Sequence, residues 1–222
     1  MLLYTFKSLC MKTLLYFIFK IILLLSLPFI CFVRGAVYLY EQQDYGSWIA
    51  IFGAAGITTF LLIIYMIFFY GSLTGKVGSL KRKLVLALIL VLGYGIHALY
   101  FFSEQNAKHN SVQKEFTSLH PILRLSISTI IHLDDGLIMT DANRLPEDYK
   151  KMGLPSKKHS LHYRQQNGFV HAFDVRTKNR SWVRNGLLQL YFKAMGFNTL
   201  RHGGTGDHLH ISLTSRDRPG AI

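Results

Sequence analysis

Three long apolar blocks dominate the first hundred residues of this 222-residue chain. They cover residues 13–33, 48–70 and 84–102, and each is long enough to cross the ~30 Å hydrocarbon core of a bilayer as a helix. A helix that is apolar on every side must be buried in protein or in lipid. The blocks therefore predict a membrane part, residues 1–102, with three transmembrane helices.

The charges beside these blocks predict an orientation. Lys7 and Lys12 precede the first block and the run KRK at 81–83 precedes the third, whereas the loop before the second block carries both signs of charge. Basic loops stay on the cytoplasmic side of a membrane. We therefore expect a multi-pass protein of the cytoplasmic (inner) membrane, with a cytoplasmic N-terminus and a periplasmic or otherwise extracytoplasmic C-terminal domain.

The first block also admits a second interpretation, a cleaved signal peptide. It is longer than the apolar core of a typical signal peptide, and no clear small-residue cleavage site follows it. Cleavage would leave the C-terminal domain on the same side of the membrane. Three spans with few polar groups favour an anchor over a channel or a transporter.

The remaining residues, 103–222, have the composition of one soluble domain of about 120 residues. Residues 103–122 are polar and predict a juxtamembrane linker or a short helix, which leaves 123–222 as the folded domain. Both cysteines, Cys10 and Cys31, lie in or beside the first apolar block. A metal site in the domain would therefore have to use histidine and carboxylate ligands.

The net charge of +13 suits an anionic partner. Nucleic acid, anionic lipid and an anionic polymer such as a cell wall all fit that description. The sequence has no basic helix with interleaved aromatic residues that would stack on bases. We therefore expect the lipid bilayer as a partner and no nucleic acid.

Short alternating segments begin the C-terminal domain. Leu123–Ile131 alternates apolar with polar residues and predicts a strand. A turn at Asp134–Gly136 would join it to a second short strand, Leu137–Thr140, as a β-hairpin. Pro146, with acidic residues directly after it, marks the start of a short helix.

One principal helix and three further strands complete the domain, one of the strands at Phe197–Leu200. Trp182–Met195 has apolar residues at helical spacing, with Ser181 as N-cap and Gly196 as C-cap, and its methionine and aromatic residues are expected in the core. Val170–Val175 and His208–Leu213 alternate as strands do. The predicted fold is a small α+β domain, an antiparallel sheet with this helix packed on it.

Two segments, SLHYRQQNGFVHAFD and DHLH, collect side chains that bind metals. His208 and His210 project from the same face of a predicted strand, about 6–7 Å apart. Asp174 on a second strand and His162 in a loop are placed to complete a three-ligand site. The pattern favours one divalent metal ion per domain.

Two histidines and one carboxylate form a common ligand set for Zn²⁺, and a catalytic zinc keeps a fourth position for a water molecule. Asp207 or His208 would then be available to take the proton of that water and pass it to a leaving amine. A His-x-His pair on a strand also occurs as two ordinary exposed histidines. Spacing alone therefore leaves the choice open.

The same residues resemble a family of zinc metallopeptidases. Ser160, His162, Gly168, Ala172 and Asp174 agree in type and order with the pattern S-x-H-x-x-G-x-A-x-D, which precedes a second motif ending in a zinc-binding histidine. The family includes D-Ala-D-Ala carboxypeptidases and dipeptidases, lysostaphin-type endopeptidases and the hedgehog signalling domain. The resemblance covers about residues 123 to 214 and implies a fold like that of hedgehog and the D-Ala-D-Ala peptidases.

The resemblance also implies roles for individual residues. It implies His162, Asp174 and His210 as the zinc ligands. Asp207 takes the place of the catalytic glutamate of the family, and His208 takes the place of the extra histidine in members with an H-x-H motif. Arg144, in the segment TDANR, resembles the arginine that helps to bind substrate in the D-Ala-D-Ala enzymes.

Two departures from the family pattern leave alternatives open. The spacing from His162 to Asp174 is twelve residues where the family has seven, so part of this stretch must loop out. His171 is then a rival ligand, although it alternates away from Asp174 on a strand. The aspartate at 207 is one methylene shorter than glutamate, which leaves His208 as a competitor for the role of base.

These features predict a membrane-anchored zinc metallopeptidase that hydrolyses peptide bonds of peptidoglycan stem peptides, as a DD- or LD-carboxypeptidase or an endopeptidase. The alternative is a catalytically inactive, metal-stabilised module of hedgehog-like fold. Such a module would bind a cell-wall fragment or a protein partner without cleaving it.

Overall fold

A computed structural model describes residues 2–75, 78–151, 153, 155, 159–204, 206–218 and 220–221 of the chain. Long helices form the first hundred residues, and a small antiparallel sheet with flanking helices forms the rest. In chain order, the α-helices and strands are α1 (Leu2–Glu41), α2 (Ser47–Thr74), α3 (Leu80–Tyr100), α4 (Asn110–Glu115), α5 (Pro121–Ile131), β1 (Met139–Asp141), α6 (Pro146–Lys151), β2 (Ala172–Arg176), α7 (Trp182–Met195), β3 (Asn198–His202) and β4 (His208–Ser212).

Two helical segments, Ser47–Phe69 of α2 and Leu80–Tyr100 of α3, are long and apolar enough to cross a membrane. A third candidate span results if two parts of α1, Met11–Leu23 and Ser26–Glu41, count as one, with a bend of 40° between them. Pro28 lies just after the bend, and proline lacks the N–H that would bond the carbonyl four residues earlier. Two to three apolar helices agree with the expected membrane part.

α1 extends past the end of the first apolar block and packs against the C-terminal domain. Arg34 Nη1 donates a hydrogen bond to Met195 O (3.4 Å), and Thr214 N donates one to Glu41 Oε1 (3.2 Å). Apolar residues of this part of α1 share one core with the sheet and α5. The long helices and the domain are therefore joined by packing as well as by the chain.

The four strands pair antiparallel in the order β1-β2-β4-β3. Asp174 on β2 lies opposite His210 on β4, which in turn lies opposite Leu200 on β3. Because side chains alternate along a strand, these three share one face of the sheet. Phe173 points to the other face, where its ring contacts Phe192 of α7 at 5.7 Å between centroids. The expected antiparallel sheet with a helix packed on it is confirmed.

α7 begins and ends where its sequence predicts. Ser181 Oγ accepts a hydrogen bond from the backbone N–H three residues later, and Gly196 ends the helix with φ 101°. Phe192 and Met195 are buried, as expected. Trp182, which was expected in the core with the other aromatic residues, is instead exposed.

The β-hairpin predicted over Leu123–Thr140 is wrong. Pro121–Ile131 form the helix α5, which starts at a proline in the first turn. The ring of His120 accepts a hydrogen bond from Ile122 N (3.3 Å) and caps this helix. A short strand does follow, and it pairs with β2 as the edge strand β1.

Burial on almost every side of α5 explains this error. Arg124 Nη1 donates to Leu99 O (3.0 Å) and Ser128 Oγ donates to Ala98 O (3.0 Å), both near the end of α3. The polar residues that produced the alternating pattern are therefore as buried as the apolar ones. A helix whose polar side chains bind a neighbouring helix does not need the polar face on which helical periodicity depends.

Residues 103–122, expected to be a linker or a short helix, are folded against the domain. They include α4 and two 3₁₀ helices, and Asn106 and Phe116 are buried. Asn106 Nδ2 donates to Asp135 O (2.9 Å) and Leu137 O (2.8 Å). This stretch ties the end of α3 to the sheet, so the domain is not held on a free linker.

Candidate metal centre

Three buried side chains, His162, Asp174 and His210, converge on the sheet face that lies away from α7. His162 Nε2 lies 3.2 Å from His210 Nδ1 and 3.5 Å from Asp174 Oδ1. His210 Nδ1 lies 2.9 Å from the same carboxylate oxygen. The fold thus brings together the three residues expected as metal ligands, and the group could hold a metal ion.

His162 is the member of the group that a loop positions. Its backbone N donates to Ser160 Oγ (3.2 Å), and that hydroxyl also pairs with Tyr149 OH (2.8 Å) of α6. Its carbonyl accepts a hydrogen bond from Arg144 N (3.0 Å). These contacts fix the loop to the segment that follows β1.

The ring of His162 is oriented by a backbone carbonyl. Its Nδ1 lies 2.7 Å from Ala142 O, and a carbonyl can only accept, so Nδ1 carries the proton. The lone pair of Nε2 then faces Asp174. A histidine that donates through one ring nitrogen and presents the other is the usual arrangement of a metal ligand.

The separations within the group suit a tetrahedral ion. Ligand atoms about 2.1 Å from such an ion lie about 3.4 Å from one another, close to the 2.9, 3.2 and 3.5 Å seen between these three side chains. His210 Nε2 is buried without a hydrogen-bond partner among the described residues. An unpaired buried nitrogen is costly, but Nε2 is not the ring nitrogen that faces His162 and Asp174, so it does not bear on an ion held between the three side chains.

Asp174 is ionised and compensated by neighbouring groups. Burial alone would raise the pKa of its carboxyl group, but His162 and His210 lower it well below the ordinary value. Arg144 Nη2 lies 2.6 Å from Asp174 Oδ2, and Arg144 Nε lies 2.7 Å from Asp141 Oδ2. The guanidinium group of Arg144 is thus bound to two carboxylates of the chain itself.

His208 lies at the edge of the group. Its Nδ1 is 2.6 Å from Gly206 O and donates to that carbonyl, which leaves a lone pair on Nε2. His208 Nε2 is 3.7 Å from Asp174 Oδ2. The side chain is partly exposed, so it is open to solvent and to a ligand.

Asp207 forms its hydrogen bonds outside the His162–Asp174–His210 group. Its carboxylate accepts hydrogen bonds from Arg201 Nη2 (3.0 Å) and Thr177 Oγ1 (2.7 Å). These bonds, the one from Arg201 foremost, lower the pKa of Asp207. A carboxylate stabilised in this way is a weak proton acceptor.

A polar cavity of about 500 Å³ opens beside Asp174, with Arg144, Asp207 and His208 also in its wall. Three further basic residues, Lys108, Arg176 and Lys178, line it. Sequence reasoning missed all three. Arg176 had a visible signal, because it follows Asp174 by two positions on β2 and shares its face, whereas Lys108 comes from the stretch expected to be a linker.

His171, the rival ligand, lies on the opposite face of the sheet and does not join the group. Its Nδ1 donates to Thr214 O (3.2 Å), and its Nε2 accepts from Asn167 Nδ2 (2.9 Å). Its ring packs against that of His120 at 4.8 Å between centroids. Burial lowers the pKa of His171 to about 4, so the ring is neutral at pH 7.

The long spacing between His162 and Asp174 is taken up by a tight loop. Gln165 N donates to Phe169 O (2.8 Å), and Gly168 N donates to Gln165 O (2.8 Å). Gly168 has φ 80°, a conformation that glycine adopts without strain. The extra residues turn back on themselves and leave His162 beside Asp174.

No protein-family model, curated protein or solved structure matches this chain.

Proposed function

We propose that this protein is a membrane-anchored zinc peptidase that cleaves peptidoglycan stem peptides outside the cytoplasmic membrane. The observation that carries the proposal is the buried His162–Asp174–His210 group, of which Asp174 lies in the wall of a polar cavity with His208 beside it. The resemblance of the two sequence motifs to zinc metallopeptidases supports the same reaction. The basic residues beside the apolar blocks support the external location of the domain.

His162, Asp174 and His210 would hold the zinc ion. When bound there, zinc supplies Lewis-acid chemistry, which polarises a peptide carbonyl and lowers the pKa of a water molecule to about 7. Ala142 O and the Arg144 guanidinium group would keep the His162 ring and the Asp174 carboxylate in place.

His208 is the best candidate for proton transfer. Its Nε2 has a free lone pair beside Asp174, and its side chain is partly exposed. It would accept a proton from the attacking water and donate it to the leaving amine. Asp207, the other candidate, is held by Arg201 and Thr177.

The cavity lining indicates the kind of substrate. Lys108, Arg176 and Lys178 place positive charge around the space next to Asp174. A peptide that ends in a free carboxylate would be attracted to this lining. This favours carboxypeptidase action near a C-terminus over cleavage in the middle of a long chain.

Zinc content and cleavage together test the proposal. Full-length protein in detergent should bind one zinc per chain and release an amino acid from purified muropeptides. His208→Ala should keep the zinc and lose about 100-fold or more in kcat. A wild-type protein that binds no metal would overturn the proposal.

A catalytically inactive, metal-stabilised binding module is the second candidate. Two observations favour it: Asp207 is tied to Arg201, and Arg144 already binds Asp174. In that case the protein binds one zinc and retains muropeptides, but cleaves none of them. Equal muropeptide binding by wild type and His208→Ala, without products, would support the module and exclude the peptidase.

A further inference from the structure

A second cavity, of about 570 Å³, lies on the other side of the sheet from the metal group. Residues of α1, of α7 and of the end of α5 line it. Its wall is almost wholly apolar, with Ile22 and Ile30 from α1 and Leu187 and Leu190 from α7. This groove takes no part in the proposed reaction, so what fills it is a separate question.

The few hydroxyl groups in the groove wall are satisfied within the protein. Those of Ser26, Thr129 and Tyr191 each donate to a backbone carbonyl, at 3.5, 2.7 and 2.9 Å. They need no hydrogen bond from a ligand or from water. The remaining polar side chain of the lining, His132, stacks its ring on that of His97 at 5.5 Å between centroids. The rest of the groove therefore suits an occupant without polar atoms.

The groove continues into an exposed apolar surface of the C-terminal domain. Leu187 is 60% exposed, Leu190 62% and Leu133, just beyond α5, 80%. A contiguous apolar patch of this kind is unfavourable in water and indicates a contact with a membrane or with another apolar protein surface. Ile22 and Ile30 of α1 are also exposed and extend the patch onto a helix of the membrane part.

The depth of the groove indicates that this contact is with the membrane. Tyr94 of α3 donates to Leu125 O (3.3 Å) and also pairs with the hydroxyl of Thr129, which lines the groove. Tyr94 lies six residues before Tyr100, the last residue of α3. At 1.5 Å per residue this is about 9 Å inside the end of a candidate span, within the ~15 Å of acyl chains in one leaflet.

We infer that this groove binds an acyl chain of the bilayer, so that the C-terminal domain is set into the outer part of the membrane through α7 and the end of α5. The groove is continuous with the candidate span of α1, its wall is almost wholly apolar, and its depth is that of lipid tails. The domain is thereby held at a fixed height, with the metal group on the sheet face away from the groove.

Tryptophan fluorescence tests this inference in the full-length chain. The chain has two tryptophans, Trp48 and Trp182, and both are replaced by phenylalanine to give a silent background. Leu187→Trp and Leu190→Trp each place a reporter in the groove. Leu200→Trp is the matched control, because Leu200 is 45% exposed on the opposite face of the sheet.

Each variant is reconstituted in phosphatidylcholine vesicles with or without dibrominated acyl chains. Bromine quenches only fluorophores at acyl-chain depth, so we expect about a twofold or greater loss of emission from both groove reporters and almost none from Leu200→Trp. Equal emission from all three would overturn the inference. Unquenched groove reporters together with a crosslinked dimer would also overturn it, because a second copy of the chain would then cover the groove.

Discussion

Asp174 and His210 occupy directly opposed positions on β2 and β4, with 2.9 Å between Asp174 Oδ1 and His210 Nδ1. In an antiparallel pair the register decides which side chains share a face, so this contact is a property of the sheet. His162 alone of the three comes from a loop, and Ser160 and Ala142 hold it by hydrogen bonds. The His162–Asp174–His210 group is therefore assembled by the fold itself.

Replacement of His210 by alanine should abolish zinc binding. Two of three ligands remain, and the site loses the one that the sheet holds against Asp174. We expect one zinc per chain in wild type and none in His210→Ala after dialysis. Zinc at 100 times its Kd stabilises a folded protein by about 2.7 kcal/mol, so a chelator should lower the Tm of wild type and leave that of His210→Ala unchanged.

His171→Gln is the control for this measurement. His171 lies on the other face of the sheet and bonds Thr214 and Asn167, so the variant should keep its zinc. A full complement of zinc in His210→Ala, or its loss from folded His171→Gln, would contradict the assignment of the ligands.

The two candidates for proton transfer should behave differently. His208→Ala removes an imidazole with a free lone pair beside Asp174 and should lower kcat about 10²–10⁴-fold. Asp207→Asn keeps an oxygen for Thr177 and Arg201 and should lower it less than about tenfold. Steady-state kinetics on muropeptides compares them, and a larger loss in Asp207→Asn would reverse the roles.

The residues of the candidate site could be predicted from the sequence, whereas the hydrogen-bond partners of the residues around it could not. The motif resemblance predicts His162, Asp174 and His210 together, and the structure brings one ligand atom of each within 4.8 Å of the others. The partners of Arg144 and Asp207 could not be foreseen. They depend on side chains from β1, β3 and the turn after β2, whose approach follows from tertiary packing alone.

The fold, too, could be predicted only in part. α7 and the strands β2 and β4 follow from local signals, namely caps and alternation. α5 was missed because its polar residues are buried against the carbonyls of Leu99 and Ala98, and a sequence pattern cannot reveal a partner that lies in another helix. For the same reason the packing of α1 on the C-terminal domain could not be predicted from the sequence.

Acidification should destabilise the protein through His171. Burial lowers the pKa of this ring in the folded state to about 4, below the ordinary histidine value of 6.5. The unfolded chain therefore binds more protons between these values, and stability falls as pH drops from about 6.5 towards 4. The loss from this residue should reach about 2 kcal/mol between pH 7 and pH 5, seen as a lower Tm.

Comparison with two variants isolates this contribution. His171→Gln cannot take up a proton, so its Tm should fall less steeply with pH than that of wild type. His109→Gln is the control, because His109 is exposed and its side chain makes no cap bond to α4. Parallel pH profiles for wild type and His171→Gln would exclude the buried ring as the source.

Two glycines of the α7 region should respond to alanine in opposite directions. Gly196 has φ 101°, and a Cβ there would collide with Arg34 and Val37 of α1. Gly196→Ala should therefore lower the free energy of unfolding by more than about 1 kcal/mol and separate α7 from α1. Gly186 lies inside α7 with open space around it, so Gly186→Ala should raise the free energy by about 0.5–1 kcal/mol. Thermal unfolding of both variants in one detergent measures the difference, and a stabilised Gly196→Ala would show that α1 does not pack here.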